Sequence, residues 1–199
     1  MSLQCSDLNE VVGLLREIPC SNELTLLQVL LAHSWRGLGR VGTSKALKMS
    51  ERRVRKIIEC LKANKIVNDS GSVNKDSLKK LLDILKVKTI KTDKGLYITA
   101  YTPLSKNLLE MAASRIVELR DYLVIGTGSS STVWMIGVSL GSPGGIMFPR
   151  VPTDYVEEAL KGVNQEGLEN SLVIVWRVYE EIIFDSVVLY SLAQLCASS

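Results

Sequence analysis

With 199 residues, 46% of them hydrophobic and 23% charged, the chain has the size and balance of a globular protein with one large domain or two small ones. No apolar run reaches the roughly 18 to 20 residues of a membrane span, and the charges at Asp7, Glu10, Arg16 and Glu17 do not fit a secretory signal. The lone His33 excludes a His-rich metal site, and four cysteines (5, 20, 60 and 196) without CxxC spacing argue against a zinc site and a disulfide framework, so a reducing cytoplasm and no cofactor are expected.

Residues 7 to 18 predict a first helix with Leu8, Val11, Val12 and Leu15 on one stripe and Asp7 and Glu10 as a capping pair. That helix either covers the core of the helices after it or pairs with a second subunit. Residues 23 to 34 predict a second helix rich in leucine, and His33 on it reads as an ordinary structural residue. A glycine-rich link then carries Arg36 and Arg40, which either touch phosphates or are solvated loop cations.

Thr43 to Asn64 predicts a short helix, a tight turn and a longer helix. In the longer one Val54, Ile57, Ile58 and Leu61 recur at the spacing of one buried stripe. At about 100° per residue, Arg52 and Lys56 point away from that stripe, with Arg53 and Arg55 on either flank. Ser50 is placed to cap this helix. Between Arg36 and Lys65 there are ten Lys or Arg and two acids, a net of +8 in a chain of net +3. The basic charge is therefore local. A basic helix-turn-helix pattern is what a reader of the DNA major groove requires, and Arg36, Arg40, Lys45, Lys48, Ser50, Arg52, Arg53, Arg55 and Lys56 are its candidate DNA contacts. The bland alternative is a solvated basic face on an interaction helix.

Ile66 and Val67, with Asp69, Ser70 and Gly71 after them, predict a short β-hairpin, the wing of a winged helix. A helix over 75–86 comes next and closes a domain of residues 1–86. Residues 87–199 carry nine bases and twelve acids and predict the order β-β-α-β-β-α-β-α, a small α/β sandwich within an overall α+β fold. Its elements are two strands around DKG, one long helix from Ser105 to Val124 ended by Gly126 and Gly128, strands TVWMIGVSL and IMFP around the turn GSPGG, and a helix capped by Thr153 or Asp154. The strand SLVIVWRV should be central in the sheet, and a buried final helix covers Glu180 to Cys196. Asp185 in that last helix must reach the surface or find a hydrogen-bonding partner. Apolar surface on the first and last helices offers candidate dimer interfaces.

Three further features bear on chemistry. The loop GTGSSS lies after a helix and before a strand, the reverse of phosphate-binding loops, and reads as a connection. Glu118, Arg120 and Asp121 form either a ligand pocket with the sheet or an ion-pair cluster. Trp134 and Trp176 are core residues or line a small cavity. No nucleophile–base–orienter set can be assembled, so no enzyme is expected.

The chain resembles archaeal two-domain proteins of an uncharacterised family, with an N-terminal winged helix and a C-terminal α/β domain. The residues that carry the resemblance are LGRVGTSKALKMSERRVRKI (38–57), IVELRD (116–121) and the succession GTGSSSTVWMI, GGIMFP and LVIVW. The resemblance implies a transcriptional regulator but brings no ligand or target of its own; double-stranded DNA is the partner expected from the basic helix-turn-helix pattern. Beside that expectation stand a homodimer, a small-molecule effector and no membrane. The rivals are an RNA- or protein-binding module and an enzyme with its site in the C-terminal domain.

Overall fold

The computed structural model describes residues 2–141 and 145–198. Helices fill the first half: α1 (Cys5–Arg16), α2 (Glu23–Leu30) continued by a π-helical turn (Leu31–Trp35), α3 (Arg40–Ala46), α4 (Glu51–Ala63) and α5 (Asp76–Ile84). In the second half strands β1 (Lys86–Lys91), β2 (Tyr97–Thr102), β3 (Val133–Ser139) and β4 (Ser171–Trp176) are interspersed with α6 (Lys106–Ser114), α7 (Ile116–Thr127), α8 (Thr153–Leu160) and α9 (Glu181–Ala197). The fold is α+β, and its four strands form one antiparallel sheet of order β1-β2-β4-β3. None of its described helices is long and apolar enough to cross a membrane.

β4 lies inside the sheet between β2 and β3, as its unbroken apolar run requires, and all six of its residues are buried. Successive side chains alternate between two faces. Leu172, Ile174 and Trp176 join Tyr101 in the large core made with α6, α7 and α9. Val173 and Val175 join Ile98 and Ala100 in a smaller core closed by Ala159 of α8, Leu168 and Phe148. Among the described residues β1 pairs only with β2; it stays largely exposed and carries Lys86, Lys88 and Lys91. Lysines on an edge strand discourage pairing with another chain.

α9 is largely buried, as expected, with the stripe of Ile183, Tyr190 and Gln194 partly open. It packs on α1, α2 and α7, so residues from Leu3 to Cys196 share one apolar core that crosses the helix-to-strand boundary near residue 86. α1 therefore covers the core, and the apolar faces of α1 and α9 that looked like dimer interfaces are occupied within the chain. Gly126 does not end α7 but lies inside it, where a Cβ would meet Val187 Cγ1 at 2.5 Å. Its missing side chain lets α7 and α9 approach. Gly128, at φ +71°, supplies the left-handed residue that ends the helix.

Several expectations are corrected. The helix predicted from Ser105 to Val124 is two helices that meet at Arg115, whose φ of −110° and ψ of 33° leave the helical range. The Arg115 guanidinium reaches the Leu195 carbonyl at 2.8 Å, Ser198 Oγ at 2.7 Å and Glu118 at 2.6 Å, and such partners are invisible to local periodicity. IMFP is not a strand: only Met147 bridges to Val138. Gly137 lets this segment cross the sheet, since a Cβ there would meet Phe148 and the Met147 carbonyl oxygen at 2.8 and 2.9 Å. Part of the predicted turn at 141–145 lies outside the described residues. Neither Thr153 nor Asp154 caps α8; Pro152 holds the cap position. α1 begins earlier than predicted, at Cys5, and Asp7 accepts from the Gln4 backbone N–H at 2.9 Å and from Lys80 Nζ at 2.6 Å.

The four cysteines, expected to be unpaired, form two disulfides. Cys5 joins Cys196, with S–S 2.05 Å, and Cys20 joins Cys60, with S–S 2.17 Å. The partners stand 191 and 40 residues apart, and spacing along the chain carries no signal for such pairs. The inference of a reducing setting rested on free thiols and loses that support.

Candidate nucleic-acid interface

The turn between α3 and α4 is built by local bonds. Thr43 is buried and its Oγ1 donates to the Leu38 carbonyl at 3.3 Å. Ser44 Oγ donates to the Met49 carbonyl at 2.6 Å. Lys48 takes a left-handed conformation, φ +52°, and turns the chain into α4. Ser50 is the N-cap as expected: its Oγ accepts from the Arg53 backbone N–H at 3.3 Å. Val54, Ile57, Ile58 and Leu61 are buried, while Arg52, Arg53, Arg55 and Lys56 are exposed.

The nine expected DNA contacts fall into groups. Lys45, Arg52, Arg53 and Lys56 lie at the surface with no carboxylate partner among the described residues. Arg40 is held by Glu51 at 2.7 Å and Arg55 by Glu59 at 3.8 Å, both in exposed pairs that phosphate oxygens can displace at little cost. Arg36 and Lys48 turn elsewhere. Arg36 lies over the Trp35 ring at 4.3 Å and meets Glu181 Oε1 at 2.5 Å, and Lys48 Nζ meets Glu180 Oε2 at 2.6 Å. Glu180 and Glu181, at the start of α9, thus hold two of the candidate DNA contacts. Their separation from Arg36 and Lys48 in sequence hides this from any local pattern.

Beside α4, residues 66 to 74 form a short hairpin through Asn68 N–H to Ser72 O at 2.9 Å and Asn74 N–H to Ile66 O at 2.8 Å, with a bridge between Val67 and Val73. The hairpin is seated on the end of the π turn. Ser34 Oγ donates to the Gly71 carbonyl at 2.8 Å, and a Cβ on Gly71 would stand 2.9 Å from His33 Nε2. His33 Nδ1 donates to the Leu38 carbonyl at 2.9 Å, so the histidine supports the turn, as expected. The hairpin tip carries Asn68, Asp69 and Ser70 and no base, and Asp69 bonds Lys62 at 3.2 Å. Phosphate contacts from the tip have no cation behind them.

Among the described residues Glu118, Arg120 and Asp121 form no ion pair with one another. Glu118 bonds Arg115 and Tyr122, and the Arg115 hydrogen bond is the main reason its carboxyl lies below the usual range. Arg120 and Asp121 are exposed, and Arg120 borders a cleft against β3. Trp176 is a fully buried core residue whose Nε1 donates to Thr99 Oγ1 at 2.7 Å, whereas Trp134 is half-buried and lines that cleft. Among the described residues no three His, Cys, Asp or Glu are grouped to hold a metal ion.

No protein-family profile matches the chain, and no curated protein does. Among solved structures it is similar to a hypothetical protein from Pyrococcus horikoshii OT3, at 19% identity over 99% of this chain and 92% of that one, with a TM-score of 0.42. A likeness this distant carries no argument about function.

Proposed function

We propose that the chain is a transcriptional regulator that binds double-stranded DNA with α4 in the major groove. The observation that carries this reading is the exposed set of Lys45, Arg52, Arg53 and Lys56, without carboxylate partners among the described residues, around the first turns of a helix whose opposite face is buried. Phosphates would supply affinity, and Arg52 and Lys56 would reach base edges. The α3–turn–α4 unit with the hairpin at 66–74 supports a winged-helix assignment, in line with the archaeal family the sequence resembles. Arg36 and Lys48 would act from their pairs with α9 as links between this unit and the sheet rather than as DNA contacts. The second half would serve assembly as a homodimer or sensing of a small molecule, and the reading assigns it no reaction.

The test is competition between duplex DNA and structured RNA of equal length, repeated across salt concentrations. Lys45 and Arg53, joined by Arg40 and Arg55 released from their exposed pairs, give four phosphate-facing cations, which correspond to a slope of log affinity on log salt of about −4. The expected result is such a slope with duplex DNA the better competitor. RNA competing equally or better would overturn the assignment to DNA.

A further inference from the structure

The cleft between α7 and the open edge of β3 has a volume of about 150 Å³ and is separate from the basic helix. Its apolar wall is made by Ile116, Trp134 and Val151, with Val117 half exposed at its mouth. Arg120 borders it from α7 and Arg150 from the segment after β3.

Four observations single it out. First, the register between β3 and β4 slips between Val133 and Met135, so Trp134 is the extra residue of a bulge. A bulge re-aims the side chain it carries, and this one lines the cleft. Second, β3 is an edge strand and, among the described residues, only its far end is covered: Val138 exchanges both backbone bonds with Met147, at 2.8 and 2.9 Å. By the alternation of an antiparallel ladder, Ile136 turns its N–H and C=O to the same open side, and Ile136 lines the cleft. Third, Arg120 and Arg150 are exposed and have no carboxylate partner among the described residues. The residues three and four positions from Arg120 on α7 are Ile116, Val117, Leu123 and Val124, none of them acidic. Fourth, Arg150 sits at φ +64°, a conformation that residues other than glycine seldom adopt. Such outliers concentrate at ligand clamps.

Two guanidiniums free of carboxylates at the border of an apolar cleft match an anion with an apolar body, because guanidinium binds carboxylate in a two-pronged geometry. An apolar cavity of about 150 Å³ holds one benzene ring, which limits the body to that size. We propose that this cleft binds a small organic carboxylate with an aromatic or branched apolar body. Arg120 and Arg150 take the carboxylate, and Trp134, Ile116 and Val151 enclose the rest. The proposal deepens the sensing role suggested above for the second half of the chain by naming the ligand class.

The test is calorimetric titration of the full chain with benzoate, with benzyl alcohol as the uncharged match and the Arg120→Gln, Arg150→Gln double variant alongside. Both arginines are at the surface, so the variant should keep its melting temperature. The expected result is saturable binding of one benzoate per chain, weakened at least about tenfold by the double variant and at least about tenfold for benzyl alcohol. No saturation up to about 10 mM, or equal binding by the double variant or of benzyl alcohol, would overturn the proposal. The titration contains no DNA. Its failure would leave the DNA-binding reading standing, and a failed DNA competition would leave the cleft standing.

Discussion

Asp185 is fully buried, and groups from three separate parts of the chain converge on it. The Tyr101 and Tyr179 hydroxyls donate to Oδ1 at 2.9 and 2.7 Å, and Arg36 stands 3.7 Å from Oδ2. Oδ2 itself has no hydrogen-bond partner among the described residues. Burial is the largest influence and pushes the carboxyl up to about 6, against the pull of the two hydroxyls and Arg36. Because the folded value lies above the ordinary one, the favourable contribution of the protonated acid is complete below about pH 4 and is lost as pH rises through about 6. The difference is on the order of 3 kcal/mol. The stability of the wild type relative to Asp185→Asn should therefore fall between pH 4 and pH 7, read by chemical denaturation at each pH. A difference independent of pH would contradict the placement. The sequence showed that this acid needed a partner in an apolar helix. It did not show which, because Tyr101 lies 84 residues away. On the basic helix, residue-scale reading went further: one period of 3.6 fixes both the buried stripe and the opposite cations. Replacing Arg52 and Lys56 with Ala should weaken duplex binding at least about tenfold with little change in melting temperature, since both side chains are exposed and neither has a carboxylate partner among the described residues.

At the scale of elements, α9 was legible because a helix apolar on nearly all sides must be largely covered. Leu189 is 1% exposed in its centre, and Leu189→Asp should cost several kcal/mol or abolish folding by placing a charge in the core. A folded variant with unchanged melting temperature would show residue 189 to be outside the core. Gly126→Ala probes the same packing from α7. Its new methyl would have to displace Val187, for a loss of about 1 to 3 kcal/mol in denaturant unfolding, whereas a gain from better helix propensity would mean that α7 and α9 do not touch there. What stayed hidden at this scale had tertiary causes. The break at Arg115 depends on acceptors near residue 195, and the path of Ile146 to Phe148 over Gly137 uses the same apolar residues a strand would. An apolar run indicates burial but not which backbone groups its neighbours will pair.

At the scale of the molecule, the change from a basic, helical first half to an acidic half containing the sheet was readable from charge and period alone. The joint between the halves was not. Arg36 with Glu181, Lys48 with Glu180 and Cys5 with Cys196 all cross it, and each pair lies too far apart in sequence to leave a local trace. These contacts make α9 the element through which the sheet and the proposed DNA-binding unit meet. If the chain reads paired half-sites, it should sediment as a two-fold dimer on its DNA, and a monomer on DNA would remove that part of the reading. The central claim is that the exposed face of α4 reads a duplex, and selection of bound DNA from a random pool tests it most directly. The full chain should enrich one discrete sequence, and the Arg52→Ala, Lys56→Ala chain, run beside it, should lose that sequence. Failure to enrich any sequence, or enrichment of the same sequence by both chains, would contradict it.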